Sequence, residues 1–163
     1  MLIAILADTH LPRGRRRLPD QCLERLRSAE LILHAGDIST SSVLDELSAL
    51  GPPVVAVHGN VDEGALVKRL PAQLEVEVDR VRLAMTHDAG AARGRLARLR
   101  KRFPRAHAVV FGHSHIPLHA AEDGFQIFNP GSPTDRRRQP QRSMGIAHVE
   151  RGAIEFELVA LGP

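Results

Sequence analysis

The sequence predicts an α/β domain built on a mixed sheet or on two sheets packed face to face. Three observations lead there. In the first half of the chain, apolar runs of strand length alternate with segments of helical spacing, the pattern of parallel strands joined by right-handed crossovers. From residue 74 onward, apolar runs are separated by two-residue turns, which reads as hairpins. The composition, 43% hydrophobic and 25% charged over 163 residues, is that of a globular chain rather than a disordered one, and the length suits a single domain, 1–163.

Leu2–Ala7 reads as a buried strand. Pro19–Ala29 has helical spacing in Cys22, Leu23 and Leu26, and Pro19 suits a helix start. Leu31–His34 is a short buried strand. Thr40–Leu50 is a second helix: its Thr/Ser cluster can cap it, Val43, Leu44 and Leu47 line one face, and Gly51 ends it. Pro53–His58 is a third strand. Leu74–Val78 alternates apolar and acidic residues and pairs with Val81–Thr86 across Asp79-Arg80. Ala91–Phe103 is an arginine-rich helix that buries Leu96 and Leu99. Ala108–Phe111 is another buried strand. Ile116–Ala121, Phe125–Phe128, Met144–Val149 and Ala153–Leu161 read as short antiparallel strands, with turns at Asp123-Gly124 and Arg151-Gly152. With no Trp, no Tyr and only five Phe, the core must be mainly Leu, Ile, Val and Ala.

Several function classes are disfavoured. The single cysteine, Cys22, rules out an intramolecular disulfide and reads as a small buried hydrophobe; a chain without a disulfide framework fits the cytoplasm. The start, MLIAILADTHLP, lacks a basic leader and a cleavage site, so a first strand is expected there and not a signal peptide. No apolar stretch approaches the roughly 20 residues a membrane helix needs. Net charge is +3, with arginines clustered in Arg13–Arg17, Arg93–Arg105 and Arg136–Arg142. Such clusters attract phosphate or nucleic acid, or are simply solvated surface. No aromatic residues interleave them to stack bases, so nucleic acid is not the favoured partner.

The metal-capable residues carry the chemistry. Asp8 and His10 follow the first strand, Asp37 the second, Asn60 the third, His87 the fifth, and His113 and His115 the sixth. Each lies just past the carboxyl end of an apolar strand, where α/β sheets gather their ligand sites. Carboxylate and imidazole without thiolate suit Mn, Fe, Zn, Ni or Co rather than all-oxygen Mg or Ca sites. Seven such groups are too many for one tetrahedral ion and about right for two ions sharing a carboxylate. Two-metal sites clamp phosphate oxygens and generate a nucleophile at neutral pH. The glycines at Gly36, Gly59 and Gly112 permit sharp turns and close backbone approach. His34 and His58 point to the same side as Asp37 and Asn60, either as donors behind the ligands or as core histidines. His107, His119 and His148 read as structural. Ser114 has no nucleophile-elbow context, and Asp62 reads as a cap or an orienting group.

Together, Asp8-Thr9-His10, Gly36-Asp37, Gly59-Asn60-Val61-Asp62, Thr86-His87 and Gly112-His113-Ser114-His115 resemble the blocks of the calcineurin-like metallophosphoesterases. The short length and the NPGSP at 129–133 resemble the small bacterial and archaeal phosphodiesterase branch. The retromer scaffold subunit vacuolar protein sorting 29 shares that fold. The resemblance implies a four-layer α/β/β/α sandwich of two mixed sheets with two divalent ions at the strand ends. It implies that Asp8, His10 and His115 hold one ion, that Asn60, His87 and His113 hold the other, and that Asp37 bridges. It implies hydrolysis of a small-molecule phosphodiester by a water or hydroxide held between the ions. Val61 stands where many superfamily members have a histidine thought to protonate the leaving group, which favours diesters or good leaving groups over unactivated monoesters. Asn129, Ser132 and Arg136, with Asn60, are the candidates for contact with substrate. A non-catalytic scaffold of the same fold and a nuclease are the alternatives, and the sequence leaves oligomer formation open.

Overall fold

The computed structural model describes all 163 residues. Its elements are β1 (Leu2–Leu6), α1 (Asp20–Ser28), β2 (Leu31–His34), α2 (Ser41–Ser48), β3 (Val54–Ala56), α3 (Gly64–Arg69), β4 (Gln73–Val78), β5 (Val81–Thr86), α4 (Arg95–Arg102), β6 (Ala108–Val110), β7 (Leu118–Glu122), β8 (Phe125–Asn129), β9 (Ser143–Glu150) and β10 (Ala153–Ala160). They form two five-stranded sheets, ordered β10-β9-β1-β2-β3 and β4-β5-β6-β8-β7. Both are mixed. β1, β2 and β3 run parallel, β9 runs antiparallel to β1, and β10 runs antiparallel to β9. β5, β6 and β8 run parallel between the antiparallel edges β4 and β7.

Strand alternation sorts the side chains into layers. Ile3, Ile5 and Ala7 of the first strand and its exit join Leu33, Val57, Leu83, Met85, Val110 and Phe128 in the core between the sheets. Ala4 and Leu6 face the other way. They pack with Cys22 and Leu26 of α1, Val43, Leu44 and Leu47 of α2, and Leu66 of α3. On the far side, Leu99 and Phe103 cover Ala84, Val109, Phe111 and Ile127. The result is helix, sheet, sheet, helix. Each buried Leu, Ile, Val or Phe adds roughly 1.5–3 kcal/mol, and the inner layer draws on both sheets, so neither sheet has its core alone.

The sequence reading needs adjustment in several places, β3 among them, which spans only Val54–Ala56. α3 was not expected: it has only six residues, begins at Gly64, and buries only Leu66. The arginine-rich helix begins at Arg95 rather than Ala91, because 88–94 is a loop held by arginines. β7 begins at Leu118 rather than Ile116. β8 is antiparallel only to β7; its other neighbour, β6, runs parallel to it. The α2 cap also differs. Thr40 Oγ1 pairs with Ser42 Oγ at 2.9 Å, and Glu63 instead accepts the Ser41 N–H at 2.7 Å. A segment distant in sequence thus supplies the acceptor that a local Ser or Thr usually provides.

Candidate metal centre

The carboxyl ends of β1, β2, β3, β5 and β6 converge, and all seven candidate ligands meet there. Two groups form, one of Asp8, His10 and His115 and one of Asp37, His87 and His113, with ligand atoms within 4.8 Å of one another in each. In the first, His10 Nε2 and His115 Nε2 lie 3.1 Å apart, and each is within 3.8 Å of Asp8 Oδ1. In the second, Asn60 Oδ1 lies 3.1 Å from His87 Nε2 and 2.9 Å from His113 Nδ1. Asp37 sits between the groups: its Oδ2 is 3.2 Å from His87 Nε2 and 3.7 Å from His10 Nε2. The first group is buried, whereas Asn60 and His113 are exposed, so the centre opens to solvent on the second group's side.

The loops reach this arrangement through strained backbone. Asp8, His10, Asp37, His113 and His115 all have positive φ, between 46° and 70°. Non-glycine residues rarely adopt this conformation, and where they do they cluster at functional sites. The glycines serve chiefly for close approach. Gly112 lies against Ala7 and Asp8 without a positive φ, so the turn is made by the histidines on either side of Ser114. Gly59 packs on Asp37, and a Cβ there would meet the Asp37 carboxylate and lie 2.5 Å from its backbone nitrogen. Gly59→Ala is therefore expected to destabilise the protein by about 2 kcal/mol or more. Gly64→Ala, which meets nothing within 4 Å, is the control and should be neutral or slightly stabilising. Denaturant midpoints measure both, and equal midpoints would refute the packing argument.

Partners behind the candidate ligands fix their orientation. His115 donates Nδ1–H to Asp135 O at 2.7 Å and His87 donates Nδ1–H to Ala35 O at 2.8 Å, turning both Nε2 atoms toward the centre. Asp62 accepts the backbone N–H groups of Asp37, Ser39 and Gly59, joining the second and third loops. Asp62 thus has the orienting role read from sequence. Asp135 was missed, since nothing in its spacing distinguishes it. His34 is fully buried and pairs through Nε2 with Thr9 Oγ1, without a hydrogen bond to any of the seven. The His58 side chain meets only Gly59 O and lines a cleft beside Asn60.

The residues expected to touch substrate are placed differently from one another. Asn129 is fully buried, donating to Gly112 O and Ser114 Oγ and accepting from Gly131 N–H. Ser132 donates to Asp8 O and accepts the N–H groups of Thr134 and Asp135. Both lie beneath the site and brace its loops. Arg136 is exposed and donates to Gln139 O. Asn60 alone of the four stands at the open face.

The electrostatics favour a bound cation. Both Asp8 oxygens are buried with no hydrogen-bond partner, a costly state unless a cation or proton is present. Burial pushes the Asp8 carboxyl up to about 7, against the pull of His87. Burial would also raise Asp37, but the hydrogen bond and charge of His87 outweigh it and bring Asp37 down to about 2. Burial lowers His115 to about 4 and lowers His10 as well. Burial would lower His87, but its hydrogen bond to Asp37 and the charges of Asp37 and Asp8 raise it, so a bound ion would take the place of a proton there. The two neutral imidazoles of His10 and His115, an orphaned carboxylate and an ionised one are donors that suit a divalent ion of the Mn, Fe, Zn, Ni or Co type.

The model of the calcineurin-like phosphoesterase superfamily domain matches residues 1–152. A probable metallophosphoesterase of Methanothermobacter thermautotrophicus is 30% identical over 99% of this chain and 94% of its own. A phosphodiesterase of Methanocaldococcus jannaschii is 25% identical over 80% of this chain and 83% of its own. Among solved structures, a variant of Vps29 from Entamoeba histolytica superposes with a TM-score of 0.79 at 21% identity, covering 98% of this chain and 99% of that one, which is a likeness of fold. With two sheets flanked by helices and two candidate metal groups at the strand ends, the chain belongs to the calcineurin-like phosphoesterase superfamily of metal-dependent phosphoesterases.

Proposed function

We propose that the protein is a phosphodiesterase that uses two divalent ions. Asp8, His10 and His115 would hold one and Asn60, His87 and His113 the other, with Asp37 shared between them. The observation that carries this reading is the position of Asp37 Oδ2 between His87 and His10. Such a pair of ions polarises the phosphoryl group and activates water at neutral pH. The chain's own residues hold the geometry. His115 and His87 are aimed by Asp135 O and Ala35 O, and Asp37 is steadied by the Val61 N–H at 3.0 Å. Asn60 and His113 form the face that a substrate phosphate meets.

Val61, half exposed, has no side-chain proton to give. A positioned general acid contributes typically ~10²–10⁴-fold, so substrates with good leaving groups are favoured. Bis(p-nitrophenyl) phosphate should be hydrolysed with added manganese or nickel, and alkyl monoesters far more slowly. Absence of turnover with every metal tested would overturn the reading and leave a docking scaffold of the same fold. Nuclease action has less support. Arg95 and Arg98 spend their donors on the carbonyls of Ala89, Gly90, Ala91 and Arg93 rather than presenting them outward.

The Asp8 pKa gives a pH signature for metal binding. Ligation needs the carboxylate. With Asp8 raised to about 7 in the metal-free protein, binding above pH 7 displaces little proton from it. Below pH 7 each unit costs about tenfold in affinity. His10 and His115 are both lowered and do not compete in this window. Manganese affinity of this group should therefore fall roughly tenfold from pH 8 to pH 6. A flat affinity profile by calorimetry would contradict it.

A further inference from the structure

A cleft of about 240 Å³ adjoins the second metal group, lined in part by His58, Asn60, His87, Asp88 and Arg102. It shares two residues with that group, so whatever occupies it is continuous with a phosphate at the metal centre. It is smaller than the roughly 300–1,000 Å³ of pockets that enclose whole ligands. Its size therefore fits one substituent of a substrate. Its wall carries one guanidinium. Arg102 comes from the last turn of α4 and is fixed by its Nε donating to Gln73 Oε1 at 2.9 Å and by stacking 5.3 Å over the Phe103 ring. Nη1 reaches Asp88 O only at 3.4 Å, and Nη2 makes no hydrogen bond. This sets Arg102 apart from Arg95 and Arg98, whose guanidinium groups are taken up by the 89–93 loop. Asp88 is the one carboxylate lining the cleft, and its Oδ1 accepts the Gly90 N–H at 2.7 Å.

We propose that this cleft is a subsite for an anionic substituent of a phosphodiester substrate, a phosphate or a carboxylate, recognised by the Nη2 group of Arg102. The proposal rests on the phosphodiesterase reading and names a substrate class for it. An exposed guanidinium oriented through Nε, with Nη2 free of hydrogen bonds, is suited to charge-assisted, directional recognition of an oxyanion.

The test compares the manganese-loaded protein on dithymidine monophosphate with and without a terminal 5′-phosphate, using bis(p-nitrophenyl) phosphate as a reference. Wild type should favour the phosphorylated dinucleotide by roughly tenfold in kcat/KM, the scale of one charge-assisted hydrogen bond. Arg102→Gln should remove that preference, and Arg102→Lys should keep part of it. Calorimetry with adenosine 3′,5′-bisphosphate against adenosine 5′-monophosphate reads the same subsite without turnover. The bisphosphate should bind about tenfold more tightly to wild type and equally to Arg102→Gln. Equal binding of the two nucleotides to wild type, or an Arg102→Gln variant that loses all three substrates in proportion, overturns the subsite. A wild type that discriminates the nucleotides but hydrolyses none of the diesters overturns the phosphodiesterase reading instead.

Discussion

Asp37→Ala is expected to lower phosphodiester turnover by on the order of 10³-fold, comparable to the loss of a preorganised electrostatic group at a reacting centre. It should also weaken metal binding in both groups at once. The reason is position. Asp37 Oδ2 is 3.2 Å from His87 Nε2 and 3.7 Å from His10 Nε2, and Oδ1 accepts the Val61 N–H at 3.0 Å. No other carboxylate lies as near to a histidine of each group: Asp8 Oδ1 is within 3.8 Å of His10 and His115 but 4.0 Å from His87. Asp37→Asn keeps the shape and the Val61 contact while removing the charge, so it separates electrostatics from packing. Metal stoichiometry after dialysis and kcat at saturating manganese measure both variants. Retention of two ions by Asp37→Ala would rule out a shared carboxylate.

His113→Ala and His115→Ala should each empty a different metal site. Though only one residue separates them, His115 Nε2 lies 3.6 Å from Asp8 Oδ1, and His113 Nδ1 lies 2.9 Å from Asn60 Oδ1. Ser114 cannot substitute for either, since its Oγ is engaged by Asn129 and the Ile116 N–H. Even an outer partner of a metal ligand costs 10–100-fold in affinity when lost, so a ligand itself should cost at least about 100-fold. The two variants also differ in stability. His115 is buried and bonded to Asp135 O, while His113 is exposed, so His115→Ala should lower the melting temperature more. If both variants lose the same ion and keep the other, the split between the groups is wrong.

Much of the centre was legible because its residues are local to strand ends. A strand that exits a sheet exposes its next few residues at that edge, so Asp8, Asp37, Asn60, His87 and His113 could be assigned to one rim from apolar runs alone. The antiparallel half was less legible. β8 pairs with β6 in parallel and with β7 in antiparallel, and no pattern within Phe125–Asn129 encodes both partners. α3 escaped because one turn and a half with a single buried residue has almost no periodicity to detect. Asn129 and Ser132 read in sequence either as substrate contacts or as a turn that positions the site; here the turn is buried and its polar atoms are taken up by neighbouring backbone and by Ser114.

The sequence by itself determined the alternation of strands and helices, which apolar runs are buried, and the identity of the seven candidate ligands. These follow from periodicity and residue chemistry, which are properties of short segments. Tertiary structure decided what depends on separation across space. It set the grouping of His10 with His115, 105 positions away, the place of Asp37 between two clusters, the support from Asp135, and the arginine lining a cleft beside Asn60. Distances between loops are fixed by how two sheets pack and by backbone held at positive φ, and neither is written in any one segment of the chain.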